Sequence, residues 1–501
     1  MRLRSFLATL AVCLLAPGLL ASGAHAQDLR PPLPPEAADG ITLQEAIEIA
    51  LEASPEVARA ELTERGGLLA ESGARTERLP SINFQVQPSQ SYGLTFDQTT
   101  GQLGSQTTEN LSTGVSANIT LYDGGRTGAL VRQARLNRAS AEASAERTRQ
   151  TVAAEVANLF LQLLLDRQLV EIQTEQLEDA RAQLDRAERL VELGARPRSD
   201  LPAQRATVAE RVAGLAEASA AVARDRVQLL DRLFLSPLAD VVFIGPDLED
   251  LEEAGLLDGT VPDLEQAVAD ALAERMDVRA QELAVEAAEA GEALAGTVSR
   301  PNVSAFGSVG TGFSSLQQRL VDPDAVQPTI PVTLEDGTQV FVGGEPFGIP
   351  TGSPDLEQTP FFSQLADNRS GNLGLSLNIP IFDRFVARRQ REEARLATDD
   401  ARIQLDALRQ SVEAEIGLAA VEISGAEARL VAAEARVEAA QEAVEAEEAR
   451  YALGATTPYD LASAQSRLTE ALAARAQAAF TLVFRRALLQ LAIGDDFSDL
   501  L

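Results

Sequence analysis

The sequence predicts an α+β membrane protein: four amphipathic strands per chain, joined to two very long helical hairpins, in a plan that occurs twice. Three observations predict it. First, Arg126 to Leu193 contains no Pro and only Gly128 as glycine, and Val156, Leu163, Val170, Leu177, Leu184 and Val191 recur every seventh residue. That spacing is the seam of a left-handed coiled coil. At 1.5 Å per residue the helix is roughly 100 Å long, too long for the core of a compact domain. Second, adding 260 to those numbers gives Ile416, Ile423, Leu430, Val437, Val444 and Tyr451, an internal two-fold sequence repeat. Third, four segments switch from helical periodicity to strict alternation of apolar and small polar residues.

The first 26 residues read as a signal peptide. Arg2 and Arg4 are its charged start, Phe6 to Leu20 its apolar run, and Ala24-His25-Ala26 an A-x-A cleavage site that makes Gln27 the mature terminus. Val12 before Cys13 does not fit a lipoprotein site. Residues 27–40 are Pro-rich and extended.

Repeat 1 covers 41–234. It opens with Thr42 as N-cap and Glu45 as its capping-box partner, followed by two helical segments ending near Pro55 and Arg78. Strands are expected at about 81–93 and 109–122, and a helical hairpin at 125–232. The turn of that hairpin is Leu193-Gly194-Ala195-Arg196-Pro197-Arg198-Ser199-Asp200-Leu201, and the return seam is Leu201, Val208, Leu215, Val222 and Leu229. An equatorial linker, 235–262, leads to repeat 2 at 263–493. There strands are expected at about 302–314 and 370–382 and a hairpin at 384–493, turning at Leu453-Gly454-Ala455-Thr456-Thr457-Pro458-Tyr459-Asp460-Leu461. Residues 494–501 form a frayed tail.

Val115, Ile119 and Leu121, with Leu375, Leu377 and Ile379, lie on the apolar strand faces, opposite Asn, Ser, Thr and Gln. This is the pattern of a transmembrane β-barrel strand, lipid outside and water inside. Tyr122 and Phe382 suit an interfacial aromatic girdle. Long polar connections, about 94–110 and 315–369, are expected on the external face, the second containing a small hairpin with an Asp336-Gly337 turn. Four strands cannot close a barrel, and an open edge in lipid leaves backbone groups unpaired. The strands must be shared between copies, eight from two chains or twelve from three.

The chain has 75 Asp+Glu against 43 Lys+Arg, which argues against nucleic acid or an anionic lipid surface as a partner. It has no lysine and no tryptophan, and its single Cys and single His are Cys13 and His25 in the signal peptide. The mature chain therefore carries no Ser-His-Asp or Cys-His pair, no His/Cys zinc site and no P-loop lysine. No metal, no cofactor and no enzymatic activity are expected. The carboxylates follow solvated helix faces and do not converge on a glycosidase pocket.

The duplicated strand–strand–hairpin plan, the segment Ile119-Thr120-Leu121-Tyr122-Asp123-Gly124-Gly125-Arg126 and the two Leu-Gly-Ala…Asp-Leu turns resemble the TolC-type outer membrane factors over residues 41–493. The resemblance implies a homotrimer with a twelve-stranded β-barrel, continued by a long periplasmic α-helical coiled-coil barrel. It implies a location in the Gram-negative outer membrane, in contact with its lipid and extending into the periplasm. The implied function is the passive exit duct of a tripartite efflux pump or type I secretion system. The implied partners are a periplasmic adaptor (membrane fusion protein) and, through it, an inner-membrane transporter.

Under this resemblance the turns form the periplasmic entrance, closed by an iris-like gate whose matching residues are Tyr451, Asp200, Ser199 and Asp460. The adaptor docks on Gly194, Ala195, Leu201, Gly454, Ala455 and Leu461. Tyr451 adds a hydroxyl where the other copy has Val191, and Asp200 is a natural acceptor for it. Equally, Asp200 and Asp460 suit helix N-termini. Three Asp460 side chains near a threefold axis would make a cation-selective constriction. The chain departs from the family at Thr456, where an arginine is found, and at Ser463, where some members are acidic. Arg196 and Arg198 stand in the other turn as possible substitutes. A contrasting reading is a periplasmic coiled-coil adaptor or scaffold without a pore, which the amphipathic strands and their long connections oppose.

Overall fold

The computed structural model describes residues 40–97, 102–194, 196–257, 263–321, 329–342, 345–350 and 356–494. The signal peptide, the Pro-rich segment up to residue 39, Ala195, residues 258–262 of the linker and the tail from 495 lie outside them. Eight helices and four strands carry the fold: α1 (Leu43–Ala53), α2 (Pro55–Thr76), β1 (Ser81–Asp97), β2 (Gln102–Tyr122), α3 (Arg126–Glu192), α4 (Leu201–Arg232), α5 (Leu264–Glu274), α6 (Met276–Ala295), β3 (Asn302–Ser314), β4 (Ser370–Asn378), α7 (Val386–Ala452) and α8 (Pro458–Ile493). The order strand, strand, long helix, return helix appears in both halves. The chain divides into two compact units, one built from 67–138 and 284–402, the other from the remaining stretches.

The first unit is organised by an antiparallel sheet in the order β1-β2-β3-β4. Its register aligns the apolar residues of all four strands. Phe84 faces Val115, which faces Val309; Ile82 faces Ala117, which faces Gly307, which faces Leu373; Ile119 faces Ala305, which faces Leu375. Directly opposed residues share a sheet face, so the large apolar residues gather on one face, interrupted by Thr113 and Thr311 and, further along β1 and β2, by Gln90 and Glu109. The other carries Asn83, Ser116, Ser308 and Asn372 in one row. A single-residue slip would exchange the faces. The one large apolar side chain on the polar face, Phe306, lies over Gly374, where a Cβ would come within 2.6 Å of its ring.

The strands differ in length from the expectation. β1 and β2 pair continuously from Ser81↔Asn118 to Asp97↔Gln102, so most of the segment expected as a polar loop, 94–110, is ladder. Alternation fades there because Thr, Gln and Gly occupy both faces, but backbone pairing needs no apolar side chain. β4 ends at Asn378, four residues before the expected 382, because Pro380 has no N–H to give the ladder. Among the described residues nothing pairs with the outer edges of β1 and β4.

The segment 315–369 is not simply polar. Short ribbons pair Gln318–Leu320 with Leu356–Gln358 and Thr329–Pro331 with Gly348–Pro350. The Asp336-Gly337 turn sits between bridged Thr333 and Gln339, with Gly337 at φ +81°. An unexpected short helix, Phe361–Asp367, packs on β3. Its buried Gln364 accepts from the Ser314 N–H at 2.8 Å, and Asn368 donates to the Gly312 carbonyl at 2.8 Å. Seven residues are too few for a legible helical period.

Each strand-to-helix joint is a left-handed turn. Asp123 accepts from the Gly125 N–H at 2.9 Å and the Thr127 N–H at 2.6 Å, with Gly124 and Gly125 at φ +69° and +89°. In the second half, Asp383 accepts from the Ala387 N–H at 2.7 Å, but the left-handed positions are Arg384 (φ +55°) and Phe385 (φ +60°). A side chain at φ > 0 costs about 1–2 kcal/mol. Arg384→Gly is therefore expected to raise stability by about 1 kcal/mol, measured as a rise in the denaturation midpoint. A fall would mean that the Arg384 side chain contributes more than its backbone strain costs.

The helical unit is held by the seams. Val156, Leu163 and Leu177 in α3, and Ile416, Ile423, Leu430 and Val437 in α7, are buried. In α4 the seam is only half-covered: Leu201, Val208, Leu215 and Val222 are partly exposed, and the covered side chains include Gln204, Thr207, Arg211 and Asp225. Residues 235–257 pack onto α3. Phe243 lies edge-on to Phe160 at 6.0 Å, and Gly245 sits where any Cβ would strike Leu164. Ile41 forms an isolated parallel bridge with Phe243, its N–H donating to the Val242 carbonyl at 2.8 Å.

One buried pair is electrostatically unfavourable. Asp166 of α3 and Asp225 of α4 are both buried. Burial, then the hydrogen bond and repulsion from Asp225, push the Asp166 carboxyl up to about 6. A raised folded-state value means the native chain binds the proton more tightly than the unfolded chain. Stability is then greatest below about pH 4 and falls as pH rises through about 6. Asp166→Asn, which keeps the shape without the charge, is expected to stabilise the chain by about 1–2 kcal/mol at pH 7.5 after discounting for solvent screening. It should have little effect at pH 4, and equal effects at both pH values would show that the pair does not share a proton.

Candidate functional site

The sequence-predicted gate residues gather at the two interhelical turns, which are built differently. α7 ends in a full left-handed cap: Gly454 (φ +74°) donates to the Tyr451 carbonyl at 3.0 Å and Ala455 to the Arg450 carbonyl at 2.8 Å, the paired bonds of a Schellman motif. α8 then starts with a capping box. The Asp460 N–H donates to the Thr457 hydroxyl at 3.3 Å, and the Asp460 carboxylate accepts from the Thr457 hydroxyl at 2.6 Å and from Thr456 at 3.2 Å. Those bonds, led by the Thr457 side chain, hold the Asp460 carboxyl below the usual carboxylate range. The cap is thus complete above that range and is lost as pH falls through it. Leu461 is buried behind it.

The first turn has no such cap. Gly194 (φ +73°) donates to the Val191 carbonyl at 3.0 Å and Arg196 to the Leu190 carbonyl at 3.2 Å. Pro197 then leads into a short 3₁₀ turn, Arg198–Asp200, and Asp200 makes no side-chain capping bond. Its carboxylate is left for Arg196, 3.5 Å away, with Ser199 Oγ at the same distance from its other oxygen.

Arg196 is the hub. Its guanidinium stacks 3.9 Å from the centroid of the Tyr451 ring and donates to the Tyr451 backbone carbonyl. Its side chain and that of Asp200 are only 14% and 16% exposed, so water does little to screen the contact. A guanidinium suits this position because one plane can stack on a ring and still direct N–H groups at a carbonyl and a carboxylate.

The expected bond from the Tyr451 hydroxyl to Asp200 is not present. The hydroxyl is buried without a partner among the described residues, and Asp200 is held by Arg196. A carboxylate attracts a cation more strongly than a phenol, and the Arg-Pro sequence delivers the cation four residues before it. Asp460 is likewise committed to its own helix. Of the four predicted gate residues, Asp200 and Tyr451 are brought together through Arg196, Ser199 touches Asp200, and Asp460 stands apart in the other turn. Arg196 brings a cation to Tyr451 from the turn opposite Thr456. Of the predicted docking residues, Gly194 is exposed, as are Gly454 and Ala455, while Leu201 is half-buried.

The strand residues are placed clearly. Val115, Leu121, Leu375, Leu377 and Ile379 are 44–73% exposed on the apolar face, whereas Ile119 is half-buried and Ile379 lies just past the end of β4. Exposed aliphatic residues in a continuous row over four strands are costly in water and favourable in lipid.

A sheet with one apolar face, one polar face and two open edges, joined to coiled-coil hairpins, is the construction of a membrane channel subunit. The chain belongs to the outer membrane efflux protein family, whose profile matches residues 46–233 and 267–495. Solved structures share the fold. The transmembrane channel CusC superimposes with a TM-score of 0.70 at 16% identity, covering 90% of this chain and 92% of its own. The outer membrane protein VceC of Vibrio cholerae gives 0.65 at 18% identity, covering 91% and 97%. The MtrE outer membrane channel of Neisseria gonorrhoeae, solved in an open state, gives 0.66 at 19% identity, covering 91% and 89%. No curated protein matches the sequence.

Proposed function

We propose that three copies of this chain form the exit duct of a tripartite efflux pump or type I secretion system, through which substrates leave passively. The observation that carries this reading is the four-stranded sheet with a continuous exposed apolar face and two unpaired edges. Edge-to-edge association satisfies the backbone groups that lipid cannot, and three copies give twelve strands. The internal repeat supports it, since each half supplies one strand pair and one hairpin. The half-covered α4 seam and the exposed Leu396, Ile403 and Val431 on one heptad phase of α7 offer apolar surface to further hairpins.

In this reading the hairpins form a periplasmic tunnel. The turns that carry Gly194, Ala195, Leu201, Gly454, Ala455 and Leu461, of which Gly194, Gly454 and Ala455 are exposed, receive the periplasmic adaptor that links the duct to an inner-membrane transporter. The same turns hold an iris-like gate. Tyr451, Asp200 and Ser199 form its latch with Arg196, and Asp460 sets the charge of the constriction.

The test is native mass measurement of the detergent-purified protein together with planar-bilayer conductance. A mass three times that of the mature chain, with discrete cation-selective currents, is expected. A folded monomer without current would sink the proposal and favour a scaffold. Lysine-directed cross-linkers are unsuitable, because the chain has no lysine side chain.

A further inference from the structure

The joint between β4 and α7 carries features that neither the channel nor the gate requires. Residues 384–391 hold Arg384, Arg388, Arg389 and Arg391 in a chain of net charge −32. Among the described residues, Arg384 and Arg388 make no ion pair or hydrogen bond, and Arg389 only approaches Glu393 at 3.8 Å with both side chains exposed. No acidic residue occupies the first turn of α7, so these cations lie at the positive end of the helix dipole, where they are disfavoured without an external anion. The nearby acids, Asp383, Glu392 and Glu393, offset only part of this charge, and Asp383 is also engaged in capping the helix.

Beside the arginines lies an open groove of about 360 Å³, lined by Ile381, Phe385, Arg388 and Arg391 and by the carboxylates of Asp383 and Glu392. Leu373, Leu375, Leu377, Ile379 and Ile381 run toward it at every second residue, 55–96% exposed, and Phe382 and Phe385 stand edge-to-face at 5.7 Å, 72% and 65% exposed. Apolar surface thus ends directly at Arg384 and Arg388, which have no ion-pair partner among the described residues, and at Arg391, whose guanidinium donates to the Gly296 carbonyl at 3.5 Å. The corresponding joint after β2 lacks this arrangement. There Arg126 approaches Glu77 at 4.0 Å, Arg300 donates to the Gly124 carbonyl at 2.7 Å, and the left-handed residues are glycines. The second joint tolerates two strained side chains, Arg384 and Phe385, at those positions, and such strain clusters at ligand sites.

The geometry points to a phospholipid site: an anionic phospholipid lays its acyl chains along Leu377–Phe385 and seats its phosphate on Arg388 and Arg391 in the groove, with Arg384 in the adjoining turn. This rests on the reading of the strands as membrane-spanning. Charge complementarity and continuity with the apolar strand face select a lipid over a free anion, which would gain nothing from exposed Ile381 and Phe382. Arginine forks match phosphate oxygens in pairs.

The test reconstitutes the full mature protein into mixed phosphatidylglycerol–phosphatidylcholine vesicles, extracts it in mild detergent and quantifies retained lipid by native mass spectrometry. Wild type should retain phosphatidylglycerol over phosphatidylcholine. Arg384→Gln/Arg388→Gln should bind phosphatidylglycerol about thirtyfold more weakly, at about 1 kcal/mol per arginine, with single-channel conductance unchanged. Arg384→Gly, which relieves backbone strain, should show a smaller loss of the same kind and guards against a folding defect. Equal retention of both lipids, undiminished retention by the variants, or displacement by an equal concentration of inorganic phosphate would each overturn the site. Failure of wild type to enter phosphatidylcholine vesicles would instead overturn the membrane-spanning reading.

Discussion

Arg196→Ala is expected to open the duct, and Tyr451→Phe is not. The alanine variant loses the stacked guanidinium, worth about 0.5–2 kcal/mol, and a charge-assisted bond to the Tyr451 carbonyl, worth about 1.5–3 kcal/mol. It also leaves the Asp200 carboxylate, 16% exposed, without its cation. Allowing for the desolvation of Arg196, the closed arrangement should weaken by about 2–3 kcal/mol, roughly a 30- to 150-fold shift toward the open one. Tyr451→Phe removes a hydroxyl that has no partner among the described residues and keeps both the ring and the carbonyl, so conductance should stay at the wild-type level. Arg196→Lys keeps the charge but not the plane and should fall between. Single-channel recording in planar bilayers checks all three. Larger currents from Tyr451→Phe than from Arg196→Ala would return the latch to the tyrosine hydroxyl.

The second large effect concerns the strand faces. Leu375→Arg and Leu377→Arg place charges among residues 73% and 62% exposed on the apolar face. At about 2–4 kcal/mol each in the lipid midplane, the double variant should be lost from the outer membrane fraction. Ser376→Arg, whose cross-strand partner is Ser304 on the polar face, should assemble normally. Immunoblotting of membrane fractions distinguishes them. If all three substitutions were tolerated equally, the apolar face would not meet lipid.

Much of this was legible in the residues because it depends on period. A seven-residue apolar repeat has one helical solution and a two-residue alternation has one strand solution, so α3, α7 and the apolar faces of β1 to β4 could be read directly. Where period fails, so did the reading. Thr, Gln and Gly between Leu94 and Asn110 hid the extension of the first hairpin. Gln364 and Asn368, polar but buried against β3, hid a short helix inside a stretch that reads as loop.

The interhelical turns show the same division at finer scale. Gly194, Gly454 and the Thr457–Asp460 capping box follow from local chemistry, since a left-handed residue and an N-cap are selected within a few positions. The choice of partner for Asp200 does not. Tyr451 lies 251 residues away and Arg196 only four, and both could reach the carboxylate. Only the packing of α7 against the first turn shows that the guanidinium occupies the space between them and leaves the hydroxyl alone. The sequence by itself determined the strands, the long hairpins and their turns, because those arise from backbone hydrogen bonding and the burial of one face. The tertiary structure decided the register that gathers four apolar strand faces into one surface, and the pairing of Arg196 with Tyr451. Both depend on contacts between residues far apart in the chain, where competing partners differ by only a few kcal/mol and geometry makes the choice.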